Sequence, residues 1–184
     1  MAFNVTEFRA QILGDGARPN LFNVQLTFPG IVQNSALAQQ KVQFMARSAQ
    51  IPSSSLGTVV VPYFGREVKF AGNRTFPQWT LTIINDEDFL IRSALESWLN
   101  AINSHSGNVR NPGLVNPSQG GYTTDATVFQ YGKAGGDAIK YYSFVGLFPT
   151  DLSSIDLDWS SNDSIEEYQV TFDYQYWTSD TTIG

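Results

Sequence analysis

Cysteine is absent from this chain and histidine occurs once, at His105. Without thiols there is no disulfide framework, and a single imidazole leaves neither a thiolate centre nor a multi-histidine metal site. Charge is sparse, at 15 % of the residues, with no cluster of Lys and Arg of the kind that neutralises nucleic-acid phosphates. No apolar run approaches the roughly 18 residues a membrane helix needs, and the N-terminus lacks a basic-then-apolar signal pattern. The expectation is a chain that neither spans a membrane nor is exported by that route.

Aromatic residues, by contrast, are plentiful at 14 % of 184 residues, which suits the half-buried pleats of an all-β protein. The length fits one domain with a real core, expected over 1–184. The net charge of −6 is uneven. Residues 1–120 balance to +2 and residues 121–184 to −8, an excess that keeps a β protein soluble.

Period-two alternation is clearest over 165–177. There Tyr168, Val170, Phe172, Tyr174 and Tyr176 share one face, with Glu167, Gln169, Thr171, Asp173 and Gln175 on the other. Further strands are predicted over 22–28, 41–49, 58–63, 66–71, 74–84, 125–132, 138–147 and 155–159, with Gly72-Asn73 as a turn. A short helix is predicted over 4–13 with Thr6 as its cap. Asn85 is predicted to cap one long helix, in which Ile91, Leu95, Trp98 and Ile102 form an apolar stripe. Loops are expected over about 31–40, 50–57 and 103–124. The core is expected to contain Phe22, Val24, Trp79, Leu95, Trp98 and Phe172.

The residues offer little chemistry. Asp156 and Asp158 would share one face of a strand and could hold a hard cation, yet they lack the spacing of a calcium-binding loop and read more simply as a solvated acidic turn. Gly132-Lys133-Ala134-Gly135-Gly136 precedes no helix and reads as a hairpin turn, not a phosphate loop. His105 and Ser53-Ser54-Ser55 have no partner in sequence reach with which to form a nucleophile–base pair. No enzyme, cofactor or metal is expected. An aromatic-rich carbohydrate-binding β-sandwich is the rival from another class.

Ala17-Arg18-Pro19-Asn20-Leu21-Phe22, the block Gly72-x-Arg74-Thr75-Phe76-x-x-Trp79-Thr80, Asn85-Asp86-Glu87, Gly146-Leu147-Phe148-Pro149 and Leu157-Asp158-Trp159 follow one another in an order with a wider likeness. From about Val5 to Trp177 the chain resembles the tail tube proteins of contractile-tailed bacteriophages. The resemblance implies packed β-sheets or a β-barrel with a flanking α-helix, and hexameric rings stacked into a hollow tube. It implies as partners the sheath, the baseplate and tail terminator proteins, the tape measure protein, and DNA that passes without specific binding. It places the chain in the virion, assembled in the host cytoplasm. Related alternatives are the tube protein of type VI secretion and the baseplate tube initiators.

The resemblance further implies that a loop after the second strand contacts the next ring, with Ile51, Pro52, Ser53, Ser54, Ser55 and Leu56 as the stacking residues. That loop is expected to order only on stacking. Lumen-facing candidates are Gln43, Arg47, Glu67, Lys69, Asp125, Thr127, Asp137 and Lys140. Their mixed signs leave an acidic lumen implied by the family more than by these residues.

Overall fold

Alternating apolar residues become strands, and two helical stripes cover what the sheets leave open. The structure, a computed structural model, describes residues 4–109, 111 and 121–182. In chain order the elements are α1 (Val5–Gln11), β1 (Phe22–Leu26), α2 (Ser35–Met45), β2 (Ala46–Ala49), β3 (Ser55–Tyr63) and β4 (Arg66–Thr75). There follow β5 (Trp79–Ile84), α3 (Leu90–Ile102), β6 (Thr124–Tyr131), β7 (Ala138–Leu152), β8 (Glu167–Asp173) and β9 (Tyr176–Ser179). The main sheet runs β1-β6-β7-β8-β5-β2, with β9 also on β7, and β3 and β4 form a separate two-stranded hairpin. The mostly-β architecture with flanking helices is the fold class expected.

The long strand β7 serves two neighbourhoods. Its first half pairs with β6 and β9, and its second half pairs with β8. Between them sits Gly146 at φ +68°, where a Cβ would lie 2.9 Å from Gln175 Cγ. Only glycine fits that left-handed, crowded position, and there the strand bends, so the two parts of the sheet face each other. Trp79 of one part stacks on Phe144 of the other with centroids 4.5 Å apart, and on Phe172 at 5.6 Å. α3 closes the core through Trp98, whose ring lies 6.3 Å from that of Phe172 and whose Nε1–H donates to the Tyr122 carbonyl at 2.7 Å. Val24, Trp79, Leu95, Trp98 and Phe172 are buried, while Phe22 is half-buried against that core.

Several elements differ from the sequence reading. The segment read as a strand over 41–49 is mostly helix. Ser35–Met45 carries Ala38 and Val42 four apart on its buried side, and its Ala, Gln, Leu and Lys residues favour helix over strand. Phe44, which alternation would turn inward, is exposed. Gly72-Asn73 is not a turn, because β4 runs through it to Thr75. A Cβ on Gly72 would sit 3.1 Å from the Gly57 carbonyl, so the glycine serves a close backbone approach at a bulge.

Asn85 does not cap α3. Its N–H donates to the Glu166 carbonyl and its Nδ2 to Glu166 Oε2, both at 2.8 Å. It thereby prolongs the β5–β8 ladder, and the helix starts only at Leu90. α1 is capped by Asn4, whose Oδ1 accepts from the Thr6 N–H, and not by Thr6. The segment 155–159 is not a strand. Asp158 Oδ1 there accepts from the Ser160 N–H at 2.9 Å, folding the chain into a turn. The strand read over 165–177 divides after Asp173, where the Gln175 N–H crosses to the Val145 carbonyl. Beyond the break the faces exchange, so Tyr176 is exposed and Trp177 packs inward. Of the expected loop 103–124, residues 110 and 112–120 lie outside the described residues.

Candidate assembly interface

The β3–β4 hairpin is the largest uncovered element of the fold. Its register pairs Val59 with Phe70, Val61 with Val68 and Tyr63 with Arg66, so these six side chains share one face. Pro62 and Val60 oppose Glu67 and Lys69 on the other. Every residue of β3 is exposed, and in β4 all but one are. The tip is a two-residue turn with Phe64 at φ +45° and Gly65 at φ +78°, the left-handed pair that matches strand twist. Glycine suits that turn, whereas a phenylalanine there is strained by about 1–3 kcal/mol. Phe64 is 93 % exposed, and its ring meets Tyr63 edge-on at 4.7 Å. An isolated two-stranded hairpin is marginal in water. The sequence signal was present, two apolar alternations around Phe64-Gly65, but nothing in it says that the chain itself leaves both strands uncovered.

The hairpin is fixed at its base. The Trp79 indole N–H donates to the Gln50 carbonyl at 2.8 Å, and that of Trp177 donates to the Ser53 carbonyl at 3.1 Å. Arg74 reaches Ser54 Oγ at 3.0 Å. Pro52 is buried, Ile51 is half-exposed, and Ser55 and Leu56 belong to β3. The expected flexible segment 50–57 is therefore an anchored strap leading into a strand, because the buried Trp79 and the half-buried Trp177 both need acceptors for their N–H groups. Ile51 also borders an apolar hollow of about 340 Å³ with Phe22, Val128 and Tyr142.

The lumen candidates lie on several elements. Gln43 lies on α2, and Arg47 on β2 is ion-paired with Glu167. Glu67 and Lys69 project from the hairpin. Asp137 is exposed in the turn before β7. Lys140 pairs with Asp180 at 2.6 Å and with Thr181 Oγ1 at 3.1 Å. Asp125 Oδ1 accepts from the Gly146 N–H at 3.1 Å, bracing the bend in β7. Thr127 instead belongs to an aligned row. Gln25, Thr127, Ser143 and Thr178 are successive cross-strand partners over β1, β6, β7 and β9, and Thr127 and Ser143 hydroxyls lie 3.2 Å apart. The outward face of these strands is thus polar and uncharged along that row.

Acidic and exposed apolar side chains meet in 154–167. Ile155, Leu157, Trp159 and Ile165, with Asp156 and Asp158, border a hollow of about 450 Å³. Trp159 is fully exposed and Leu157 is 80 % exposed. The backbone N–H of Ser160 holds the Asp158 carboxyl below its ordinary range. Among the described residues no three His, Cys, Asp or Glu side chains are grouped to hold a metal. His105 sits in a polar turn with its backbone N–H on Asn100 Oδ1. Trp79 and Trp98 are buried and Trp177 is half-buried, so of the four tryptophans Trp159 alone is fully exposed.

Fold and surface define a β-sheet protein whose most open feature is an apolar hairpin and not a catalytic cleft. The sequence model of the phage tail tube protein family matches residues 17–180, and this chain belongs to that family. It is 32 % identical over 169 residues to tail tube protein gp19 of Enterobacteria phage T4, covering 92 % of this chain and 95 % of that one. It is 29 % identical over 178 residues to the tail tube protein of Serratia phage KSP90, covering 96 % and 97 %. Among solved structures, the tube terminating cap of the anti-feeding prophage superposes with a TM-score of 0.61 at 21 % identity, over 89 % of each chain. A sheath–tube complex of the extracellular contractile injection system PVC gives 0.58 at 17 % identity, over 97 % and 98 %. At those identities the structural likeness establishes the fold alone.

Proposed function

We propose that this chain is the repeating subunit of a contractile phage tail tube. Copies close into hexameric rings, rings stack, and the hollow cylinder conducts the tape measure protein and then the genome. The sheath would surround it, with baseplate and terminator proteins at its ends, and the finished tube is a virion component assembled in the host cytoplasm. The role is structural and calls for no cofactor. The β3–β4 hairpin is the observation that carries this reading. Its two strands are uncovered, its tip is a strained exposed aromatic, and a second copy would give it the burial it lacks.

The rest of the molecule suits the same role. β1 and β2 end the main sheet, and pairing such edges around a ring removes a liability to aggregation. The neutral row Gln25, Thr127, Ser143 and Thr178 offers water a wettable lining with no cation to hold a phosphate. Electron microscopy of the purified protein tests the proposal. Rings or tubes are expected, and dispersed monomers at every concentration would overturn it. Replacing both Ile51 and Leu56 by Asp should leave a folded protein that makes no tubes. Duplex DNA should show no sub-micromolar, salt-sensitive binding.

A further inference from the structure

The hairpin and the acidic hollow lie at opposite ends of the sheet. β5 begins at Trp79, whose indole holds the strap at the hairpin base, and its final residue Ile84 pairs with Glu167 beside the hollow. Five steps at about 3.3 Å give roughly 17 Å between the two ends, and the hairpin buries nothing against its own core to reach back. One molecule therefore carries a projecting aromatic tip at one end and, at the other, a hollow of mixed character where Leu157, Trp159 and Ile165 stand among serines and carboxylates.

Their chemistries match. Tyr63 and Phe64 are exposed rings, and Arg66 shares the face of Tyr63. Arg66 makes no ion pair among the described residues, whereas Lys41, Arg47, Arg92 and Lys140 do. The hollow presents Leu157, Trp159 and Ile165, with Asp156 and Asp158, which also make no ion pair there. We infer that the hairpin tip of one copy seats in the 154–167 hollow of the next, with Arg66 against Asp156 and Asp158. The inference rests on the tube reading and names the receptor for its stacking element. Such a head-to-tail contact is heterologous, so it leaves a free tip and a free hollow after every addition and, unless its rotation closes a ring, propagates along the tube axis. Covering the rings excludes water around the charges, which strengthens their attraction, and Arg66 can also stack on the Trp159 face.

The absence of cysteine makes the contact directly testable. The variant Tyr63→Cys with Leu157→Cys is assembled and oxidised, and each single substitution serves as control. The double variant should give a ladder of cross-linked multimers in denaturing gels, while the singles give at most dimers. In parallel, Arg66→Asp alone and Asp156→Arg with Asp158→Arg should each raise the critical concentration for tubes about tenfold or more. Combining all three should restore it to within about threefold of the parent, the signature of a coupled pair. Thermal melts of the unassembled variants should match the parent, which separates a lost contact from a lost fold. If the parent forms tubes but the double cysteine variant gives no ladder, or the charge losses add without rescue, this receptor is overturned and the tube reading stands. If the parent forms neither rings nor tubes, both fall.

Discussion

The strands β5 and β8 and the strands β3 and β4 follow the same sequence grammar and meet opposite fates. In β5 every second residue, Trp79, Leu81 and Ile83, is buried, and β8 answers with Tyr168, Val170 and Phe172. In β4, Val68 and Phe70 alternate with Glu67 and Lys69, and Val59 and Val61 of β3 lie opposite them on the same face, yet all four stay exposed. The difference lies in what stands opposite. β5 and β8 meet Phe144 of β7 and Trp98 of α3, whereas the apolar face of the hairpin faces water. Alternation therefore reports that a face is built to be covered; it does not report by whom.

The strongest way to break this comparison is to empty the covered side. Trp98→Ala should cost about 3–5 kcal/mol, a large share of the 5–15 kcal/mol typical of a domain. Trp98 packs on Phe28 and Phe172 and satisfies its N–H on Tyr122, so no smaller side chain replaces both contacts. Urea titration of the purified variant measures the loss. A Trp98→Ala protein with parental stability would show that α3 does not close the core as described.

The uncovered side should respond in the opposite sense. Val61→Asp with Val68→Asp should change the stability of the unassembled chain by no more than about 0.5 kcal/mol per site, as for other exposed positions. The same pair should abolish tubes, because two carboxylates cannot be buried unpaired in an interface. Thermal melts and sedimentation separate the two readouts. A double variant that melts far below the parent would mean that the hairpin face is covered within the chain.

How much was legible follows from the same contrast. Where both partners lie in regular elements of the chain, the residues disclose it: the stripe Ile91, Leu95, Trp98 and the alternation of β5, β6 and β8 need no further information. The errors arise where a distant residue decides. Val42, Phe44 and Ala46 alternate like a strand, but α2 is set by Ala38 and Val42 packing over β1 and α3. Tyr174-Gln175 contains neither Gly nor Pro, yet the strand breaks there because Gly146 bends β7 alongside. Asn85 has the chemistry of a cap, but Glu166, 81 positions away, takes its side chain. The family blocks locate the chain in its class, while the surroundings of single lumen candidates stayed hidden: Gln43 lies on a helix read as a strand, and the Lys140–Asp180 ion pair cannot be seen in sequence.

A milder perturbation is pH, acting where α2 meets the start of α3. Lys41 Nζ lies 2.6 Å from Asp86 and 2.5 Å from Asp88. Hydrogen bonding by Lys41, then by the backbone N–H of Glu87 or Leu90, holds both carboxyls below their ordinary value. The hydrogen bond to Asp86, then that to Asp88, raises Lys41 above its own. The aspartates' contribution is therefore present above their unfolded value of about 3.9 and is lost as pH falls through the lower folded values. That of Lys41 is present below about 10.4 and lost as pH rises through its raised value. Melting temperature should accordingly fall on both sides of a plateau from about pH 4 to 10. Lys41→Met should flatten part of both limbs, and an unchanged acid limb would show that the clamp does not hold α2 to α3.

The smallest effect expected lies inside the covered region and tests whether its polar groups matter. Tyr168 is buried, and its hydroxyl has no hydrogen-bond partner among the described residues; burial drives the ionisation of that hydroxyl far above its ordinary value. The ring, by contrast, is well used, packed under the Arg92 guanidinium at 5.1 Å. Removing an unsatisfied buried hydroxyl costs no hydrogen bond and relieves its desolvation. Tyr168→Phe should therefore be neutral or stabilise the fold by up to about 1 kcal/mol, leaving the cation over the ring in place. Denaturant midpoints at an unchanged slope read the difference. A loss above about 1 kcal/mol would mean that the hydroxyl has a partner, such as a bound water, and that this part of the core is held by polar as well as apolar contacts.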